Sequence, residues 1–280
     1  MTPPAPIPPA PPSPSGAAAA HVAGDTPVAL VTGGAQRIGR AIAIELAAAG
    51  WRVAVHYRQS SAEALALVEE LGRASPGGHG SRTFGADLAD EIQCRALVPT
   101  VRRAMGRIDA VINNASLFEH DTAADFSFTN MERHWRTNTG APLLLAQALH
   151  AAGGHVVVNV LDQKLWNLNP DHLSYTLSKA ALEVATRMLA MALAPRTRVC
   201  GVAPGITLTS TEMSPAEFAA AHRMTPLQRG STPEDVARAV RYLVEAPAVT
   251  GTTLLVDGGQ HLSGQARDVV FLARNALQQH

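Results

Sequence analysis

Residues 27–50 read PVALVTGGAQRIGRAIAIELAAAG, and three regimes follow one another within this stretch. PVALVT is a short apolar run with β-branched valines, the pattern of a strand covered on both faces. Gly33 and Gly34 interrupt it at once. From Arg37 the apolar residues recur at helical spacing, and Gly50 ends the pattern as a C-terminal cap would. A strand, a glycine turn and a helix in direct succession make the first half of a βαβ unit. The turn would sit where a helix N-terminus presents free amides, which favours an anion. Taken alone, it fits a plain βα connection as well.

The same rhythm continues along the chain. WRVAVHY (51–57), RTFGA (82–86), DAVIN (109–113), HVVVNVL (155–161), RVCGVA (198–203) and TTLLVD (252–257) are further strand candidates. Helical spacing fills SSAEALALVEELGR (60–73) and roughly 90–105, 129–151, 174–194 and 233–245. Such alternation predicts an α/β fold: a doubly wound sheet of about seven parallel strands with helices on both faces. One domain is expected over 25–262. Residues 1–24, mostly Pro, Ala and Ser, have little to bury and read as a disordered tail. Residues 263–280 form a C-terminal extension with the pattern of a short amphipathic helix. The segment 206–224 shows no clear period.

Composition narrows the function. Of 280 residues, 46% are apolar, enough for a large core; 23 basic and 23 acidic residues give no net charge. Without a basic block, nucleic acid and acidic membrane surfaces are not expected partners. No apolar stretch is long enough to cross a membrane. Cys94 and Cys200 lie far apart and in no ligand spacing, so no metal site is expected, and a reducing cytoplasm is the natural setting.

The end of the second strand bears on a nucleotide. A site for NAD usually carries an acid there, to bind a ribose hydroxyl. Between Glu45 and Glu63 there is none; the strand ends HYRQSS, with His56, Arg58, Ser60 and Ser61. Arg37 adds a guanidinium inside the glycine turn. Guanidinium forks match phosphate geometry, so these residues point to the 2′-phosphate of NADP(H). The plain alternative is a set of solvated loop residues.

A second cluster carries chemistry. In DHLSYTLSKAAL (171–182), Tyr175 and Lys179 stand four apart, on one face of a helix, and Asp162 lies thirteen residues before the tyrosine. A free phenol titrates near ~10. Bringing it to neutrality takes roughly 4 kcal/mol, and the Lys179 ammonium together with a cationic nicotinamide in a closed site is expected to supply much of it. The tyrosine–lysine pair alone also fits an ordinary helix surface.

TGxxxxxG at 32–39, NNAS at 113–116, Asn138, Tyr175, Lys179 and PG at 204–205 occur in order. Together they resemble the short-chain dehydrogenase/reductase family, over residues 27 to about 262. The resemblance implies a Rossmann fold, an NADP(H)-dependent oxidoreductase and a homo-tetramer assembled through long helices. It implies that Tyr175 is the general acid, that Lys179 binds the nicotinamide ribose and tunes the tyrosine, and that Asn138 holds a relay water. Pro204 and Gly205 would lie against the nicotinamide. The remaining implied cofactor contacts are Gly33, Arg37, Ile38, Gly39, His56, Tyr57, Arg58, Ser60, Asp87, Leu88, Asn114 and Ala115.

Two positions depart from the common pattern. Arg37 stands where most members have glycine, and Asp162 where most have a serine that polarises a carbonyl. An ionised carboxylate only accepts hydrogen bonds and is a poor donor to an oxyanion. Both departures, with HY before Arg and Ser and with Phe118 after NNAS, resemble the pteridine and dihydromonapterin reductase branch. That resemblance implies hydride transfer to a C=N bond of a dihydropterin-like substrate. Asp162 would support protonation of a ring nitrogen, Phe118 would stack on the ring, and Ser116 would bond the pterin or the cofactor. The plain alternative for Asp162 is a cap on the following turn, and Trp166 either lines the pocket or packs in the core. The rival functions are a reductase of another carbonyl or imine and a non-catalytic NADP-binding sensor.

Overall fold

The computed structural model describes residues 26–209 and 213–278. The segment read as an N-terminal tail lies outside the described residues. Every expected strand is present, most of them a residue or two shorter and β6 one residue longer: β1 (Val28–Val31), β2 (Arg52–Tyr57), β3 (Arg82–Gly85), β4 (Ala110–Asn113), β5 (Val156–Val160), β6 (Arg198–Pro204) and β7 (Thr253–Val256). They form one 7-stranded sheet in the order β3-β2-β1-β4-β5-β6-β7. Every pairing is parallel. This is the doubly wound Rossmann architecture.

The strand composition explains the layering. Side chains alternate faces along a strand, so a strand covered on both sides needs apolar residues throughout. Along β1, Ala29 and Val31 enter the core under α1 (Arg37–Ala48), α2 (Ser61–Ala74) and α8 (Pro233–Glu245). Val28 and Leu30 enter the opposite core, under α3 (Glu91–Met105), α5 (Ala141–Ala151) and α6 (Leu173–Ala192). No helix among the described residues is long and apolar enough to cross a membrane.

Two helical regions differ from the sequence expectation. The single helix expected over 129–151 is two, α4 (Phe128–Trp135) and α5, joined by a wide turn over Arg136–Gly140. Pro142 is the physical reason. It has no N–H for the carbonyl of Asn138 four residues back, and its ring would collide with that carbonyl in a regular helix. The chain widens instead, and Ala141 N–H reaches Arg136 O. The second difference is α7 (Pro215–Arg223), inside the segment without a readable period. Its start is a capping box: Ser214 accepts from Glu217 N–H, and the Glu217 side chain accepts from Ser214 N–H. The amphipathic C-terminal residues form α9 (Val269–Gln278), which packs Val269 and Ala273 against Met213, Ala220 and Ala221.

The sheet reverses its winding between β1 and β4, and a crevice opens there at the strand C-terminal ends. Thr32 anchors this point. Its buried hydroxyl donates to Ile112 O (3.2 Å) and accepts from Asn114 N–H (2.9 Å) and Ala115 N–H (3.0 Å). Thr32→Val keeps the shape and leaves two N–H groups without their acceptor, at about 1–3 kcal/mol each where they are buried. Urea denaturation should show that loss, and Thr32→Ser should recover most of it. A Thr32→Val midpoint equal to the wild type would rule the anchor out.

Candidate functional site

The glycine turn is a close-packed cradle. Gly33 takes φ +59°, and a Cβ on Gly39 would lie 2.2 Å from Gly33 O and 2.6 Å from Asn114 Nδ2, so only hydrogen fits there. Asn114 Nδ2 donates to Thr32 O (2.9 Å) and Gly33 O (3.2 Å), tying the turn to the end of β4. Arg37 takes φ 54°, a left-handed conformation that costs a non-glycine residue about 1–2 kcal/mol. Its guanidinium crosses the crevice and donates through Nη1 and Nη2 to Thr209 O, both at 3.2 Å.

His56 does not face a phosphate as expected. It is buried: its Nδ1 accepts from Gly33 N–H (3.0 Å), and its Nε2–H therefore donates to Ala86 O (3.1 Å). Burial lowers its pKa from 6.5 to about 4, so at neutral pH the ring is an uncharged brace between the glycine turn and the end of β3. Arg58 and Ser60 remain open. Arg58 has no partner among the described residues, and Ser60 stands at the start of α2 without a side-chain capping bond. Gln36 likewise leaves the first amides of α1 uncapped, and no acidic residue sits in that helix's first turn.

A cavity of about 620 Å³ joins these features to the chemistry. Its wall includes Gly33, Arg37, Ile38, Gly39, His56, Tyr57, Arg58, Ser60, Asp87, Leu88, Asn114 and Ala115, and at its far end Ser116, Phe118, Asp162 and Tyr175. A second cavity of about 500 Å³ shares Arg37, Ile38, Phe118 and Asp162, and adds Gly205, His120 and His172 with Val269, Val270 and Phe271 of α9. Lys179, Asn138 and Pro204 line neither cavity.

The end of β5 delivers Asp162 and the first turn of α6 delivers Tyr175. Tyr175 Oη donates to Asp162 Oδ2 at 2.7 Å, while Asp162 Oδ1 accepts from Lys164 N–H at 2.8 Å. Asp162 is thus both the cap of the turn Gln163–Trp166 and the partner of the phenol; the two readings are one residue's two oxygens. Lys179 Nζ donates to Val160 O (2.7 Å) and lies 5.9 Å from the Tyr175 ring centroid. Against expectation, the lysine does not set the phenol. Burial first, and then the charge and hydrogen bond of Asp162, push the Tyr175 pKa well above its ordinary value. Burial raises Asp162 above the usual carboxylate range and brings Lys179 down to about 8.

Around this pair the side chains are fixed. Asn138, in the wide turn, accepts from Leu117 N–H (2.7 Å) and Ser116 Oγ (3.1 Å) and donates to Leu117 O (2.9 Å) and Ser178 Oγ (3.0 Å). Phe118 is 52% exposed, stacks on His172 at 4.3 Å and meets Tyr175 edge-on at 4.7 Å. Trp166 is 40% exposed and lines neither cavity. Sequence reasoning missed His172 and the α9 residues. A histidine at the start of α6 has no motif, and an amphipathic pattern gives a helix without saying what it covers.

The sequence matches the family described as enoyl-(acyl carrier protein) reductase over residues 33–261. Among solved structures, FolM alternative dihydrofolate reductase 1 of Brucella suis, in complex with NADP, is similar at TM-score 0.81 and 40% identity, covering 88% of this chain and 99% of that one. Pteridine reductase 1 of Leishmania tarentolae is 31% identical over 85% of this chain and 97% of its own. Granaticin polyketide synthase putative ketoacyl reductase 2 of Streptomyces violaceoruber is 36% identical over 85% and 97%.

The buried His56 makes a pH prediction. Its folded pKa of about 4 lies below the unfolded 6.5, so the unfolded chain takes up the proton first as pH falls. Stability should drop between about pH 6.5 and 4, by roughly 3 kcal/mol at 1.36 kcal/mol per unit. His56→Gln offers the same acceptor and donor but does not titrate. Denaturation at pH 7 and 4.5 should show the wild type losing more stability than the variant; equal losses would mean His56 is not held neutral.

Proposed function

The chain belongs to the short-chain dehydrogenase/reductase family, and we propose that it is an NADPH-dependent reductase acting on a C=N bond of a dihydropterin-like ring. The observation that carries this reading is the 2.7 Å bond from Tyr175 Oη to Asp162 Oδ2, where a ketone reductase of the family would have a serine hydroxyl. A carboxylate at that place suits a substrate that needs a proton on nitrogen rather than a donor to a developing alkoxide. The pterin-type relative and the dihydrofolate reductase structure point the same way.

The first cavity fits NADP(H). Its two helix starts carry no side-chain cap, the glycine cradle admits no Cβ, and the Arg58 guanidinium stands open beside Ser60. Arg58 and Ser60 would hold the 2′-phosphate, the amides at the start of α1 the diphosphate, and Asp87 and Leu88 the adenine end. When bound, the reduced nicotinamide supplies the hydride.

The residues of the chain then manage one proton. In the resting arrangement the Tyr175 hydroxyl proton points at Asp162 Oδ2. For Tyr175 to donate into the cavity, Asp162 must carry a proton and pass it to Oη as the phenol's own proton leaves for the substrate nitrogen. Burial of Asp162 favours that protonated form. Lys179, held on Val160 O, keeps a positive charge under the site and orients the ribose. Phe118 offers an open ring face, braced from behind by His172, on which a flat heterocycle stacks. A homo-tetramer is part of this reading: α6 leaves Met188 and Met191 exposed on its outer face.

The test is NADPH oxidation with a dihydropterin, dihydrofolate and an activated ketone. Asp162→Asn keeps the cap and the size but cannot carry the proton, and should slow the pterin reaction by roughly 10²–10⁴ with NADPH affinity unchanged. Asp162→Ser should lose pterin reduction and gain weak ketone reduction. A wild type that reduces the ketone well and ignores every pterin refutes the reading.

The cofactor choice is tested separately. Arg58→Ala removes one charge-assisted contact and should weaken NADPH binding roughly tenfold to a hundredfold, leaving NADH binding as it was. Equal loss for both nucleotides would show that Arg58 does not read the 2′-phosphate.

A further inference from the structure

The turn capped by Asp162 carries two polar groups that the proton chemistry leaves unused. Lys164 is 3% exposed, and its Nζ meets one partner, Asp268 Oδ2 at 3.2 Å. An ammonium has three donors, so two have no acceptor among the described residues. Gln163 is 7% exposed, and its Oε1 is buried with no hydrogen-bond partner. Both residues line the second cavity, together with Asp162, Phe118 and Asp268. Burying such groups with bonds unmade costs free energy, and few native sites tolerate it without a ligand or water to complete them.

Holding the C-terminal helix in place does not explain the pair. A neighbouring clamp already does that work: the buried Asp171 carboxylate accepts from Arg267 Nε and Nη2 and from Asp268 N–H. Asp171 and Arg267 line neither cavity, whereas Lys164 and Asp268 do. Asp268 uses Oδ1 on Val270 N–H and presents Oδ2 to Lys164, and each oxygen keeps a lone pair.

We propose that Gln163, Lys164 and Asp268 form the subsite that reads the hydrogen-bonding edge of the bound ring, an aminopyrimidinone edge. The ring carbonyl accepts from Lys164, the adjoining amide N–H donates to the Gln163 carbonyl, and the amino N–H donates to Asp268. A donor followed by two acceptors is the complement of that edge. A ring with a second carbonyl in place of the amino group would set an oxygen lone pair against the carboxylate, and it is rejected because that contact is unpaired. The subsite rests on the pterin reading above and adds which edge of the ring is recognised and by what.

The experiment is steady-state kinetics of the full chain with NADPH and two probes, a 2-amino-4-oxo dihydropteridine and its 2,4-dioxo counterpart. The wild type should favour the amino-oxo ring. Lys164→Met should raise the KM for that ring roughly tenfold to a hundredfold, with kcat and NADPH affinity little changed, and Lys164→Arg should restore it. Asp171→Asn loosens the C-terminal helix from outside the cavity; it should lower the melting temperature and leave the preference between rings intact. If Lys164→Met slows both rings by one factor, as a loosened helix would, the pair is a structural staple and the subsite is overturned. Should that variant not fold, Asp268→Asn decides: loss of discrimination against the dioxo ring supports the subsite, and an unchanged ratio overturns it. A wild type that binds and reduces neither pteridine but reduces an activated ketone overturns the pterin reading, and the subsite falls with it.

Discussion

A parallel sheet covered by helices on both faces leaves one place for polar chemistry, the line of strand C-terminal ends. The strands cannot carry it, because Val28 to Val31, Val53 to Val55 and Val156 to Val160 are buried from both sides. Each of the first six strands therefore leaves its site residues to the loop that follows. Gly33 follows β1, Arg58 follows β2, Asp87 follows β3, Asn114 to Ser116 follow β4, Asp162 follows β5 and Gly205 follows β6. The two cavities are what remains between these loops once the sheet has twisted and its winding has reversed at β1 and β4. Thr32, His56 and Asn114 then fix the glycine turn from three sides, each by hydrogen bonds to backbone.

Within that frame the proton-active pair is decided by a contest of charges. An ammonium on the same helix face as a phenol suggests a lowered phenol pKa, and sequence reasoning leads there. The structure puts a carboxylate at hydrogen-bond distance and the ammonium farther off, on a carbonyl of β5. Burial disfavours the phenolate and the carboxylate alike; the Asp162 charge adds to it at Tyr175, while the bond from the Tyr175 hydroxyl works the other way at Asp162. The outcome is a pair that holds on to a proton rather than one that gives up two. For a nitrogen that must be protonated this is the useful direction, since an acid that stays protonated until substrate arrives is ready to donate.

Much of the fold was legible because its signals are local. Seven short runs gave seven strands; the central ones are apolar because both faces are covered, while β3 at the sheet edge leaves Arg82 and Gly85 exposed. TGxxxxxG, Tyr175 and Lys179 gave the place of the crevice. The direction in which a side chain points is not local. His56 and Arg58 are two residues apart, yet one is buried as a brace on the turn and the other, past the end of β2 where strand alternation no longer holds, stands open in the cavity wall. Pro142 announced the break that widens the helix at Asn138, but only in relation to the carbonyl four residues earlier. The capping box at Ser214 and Glu217 was readable in itself; the helix behind it was hidden by the absence of a strong period. What α9 covers depends on contacts across a hundred positions of sequence, such as Asp171 with Arg267.

Strain marks the same region. Three described non-glycine residues take positive φ, and two of them, Arg37 and His172, border the second cavity. Each gives up on the order of 1–2 kcal/mol that a glycine would keep. Arg37 gains a guanidinium that crosses the crevice to Thr209 O. His172 starts α6 from a left-handed turn and so brings its ring under Phe118, which in turn meets Tyr175 edge-on. A glycine would relax the backbone at either place and remove the side chain that shapes the cavity. Backbone strain of this kind persists where the surrounding structure over-determines it. Here the surroundings are the cradle on one side and the Asp162–Tyr175 pair on the other, so one packed unit sets both the cavity walls and the pair.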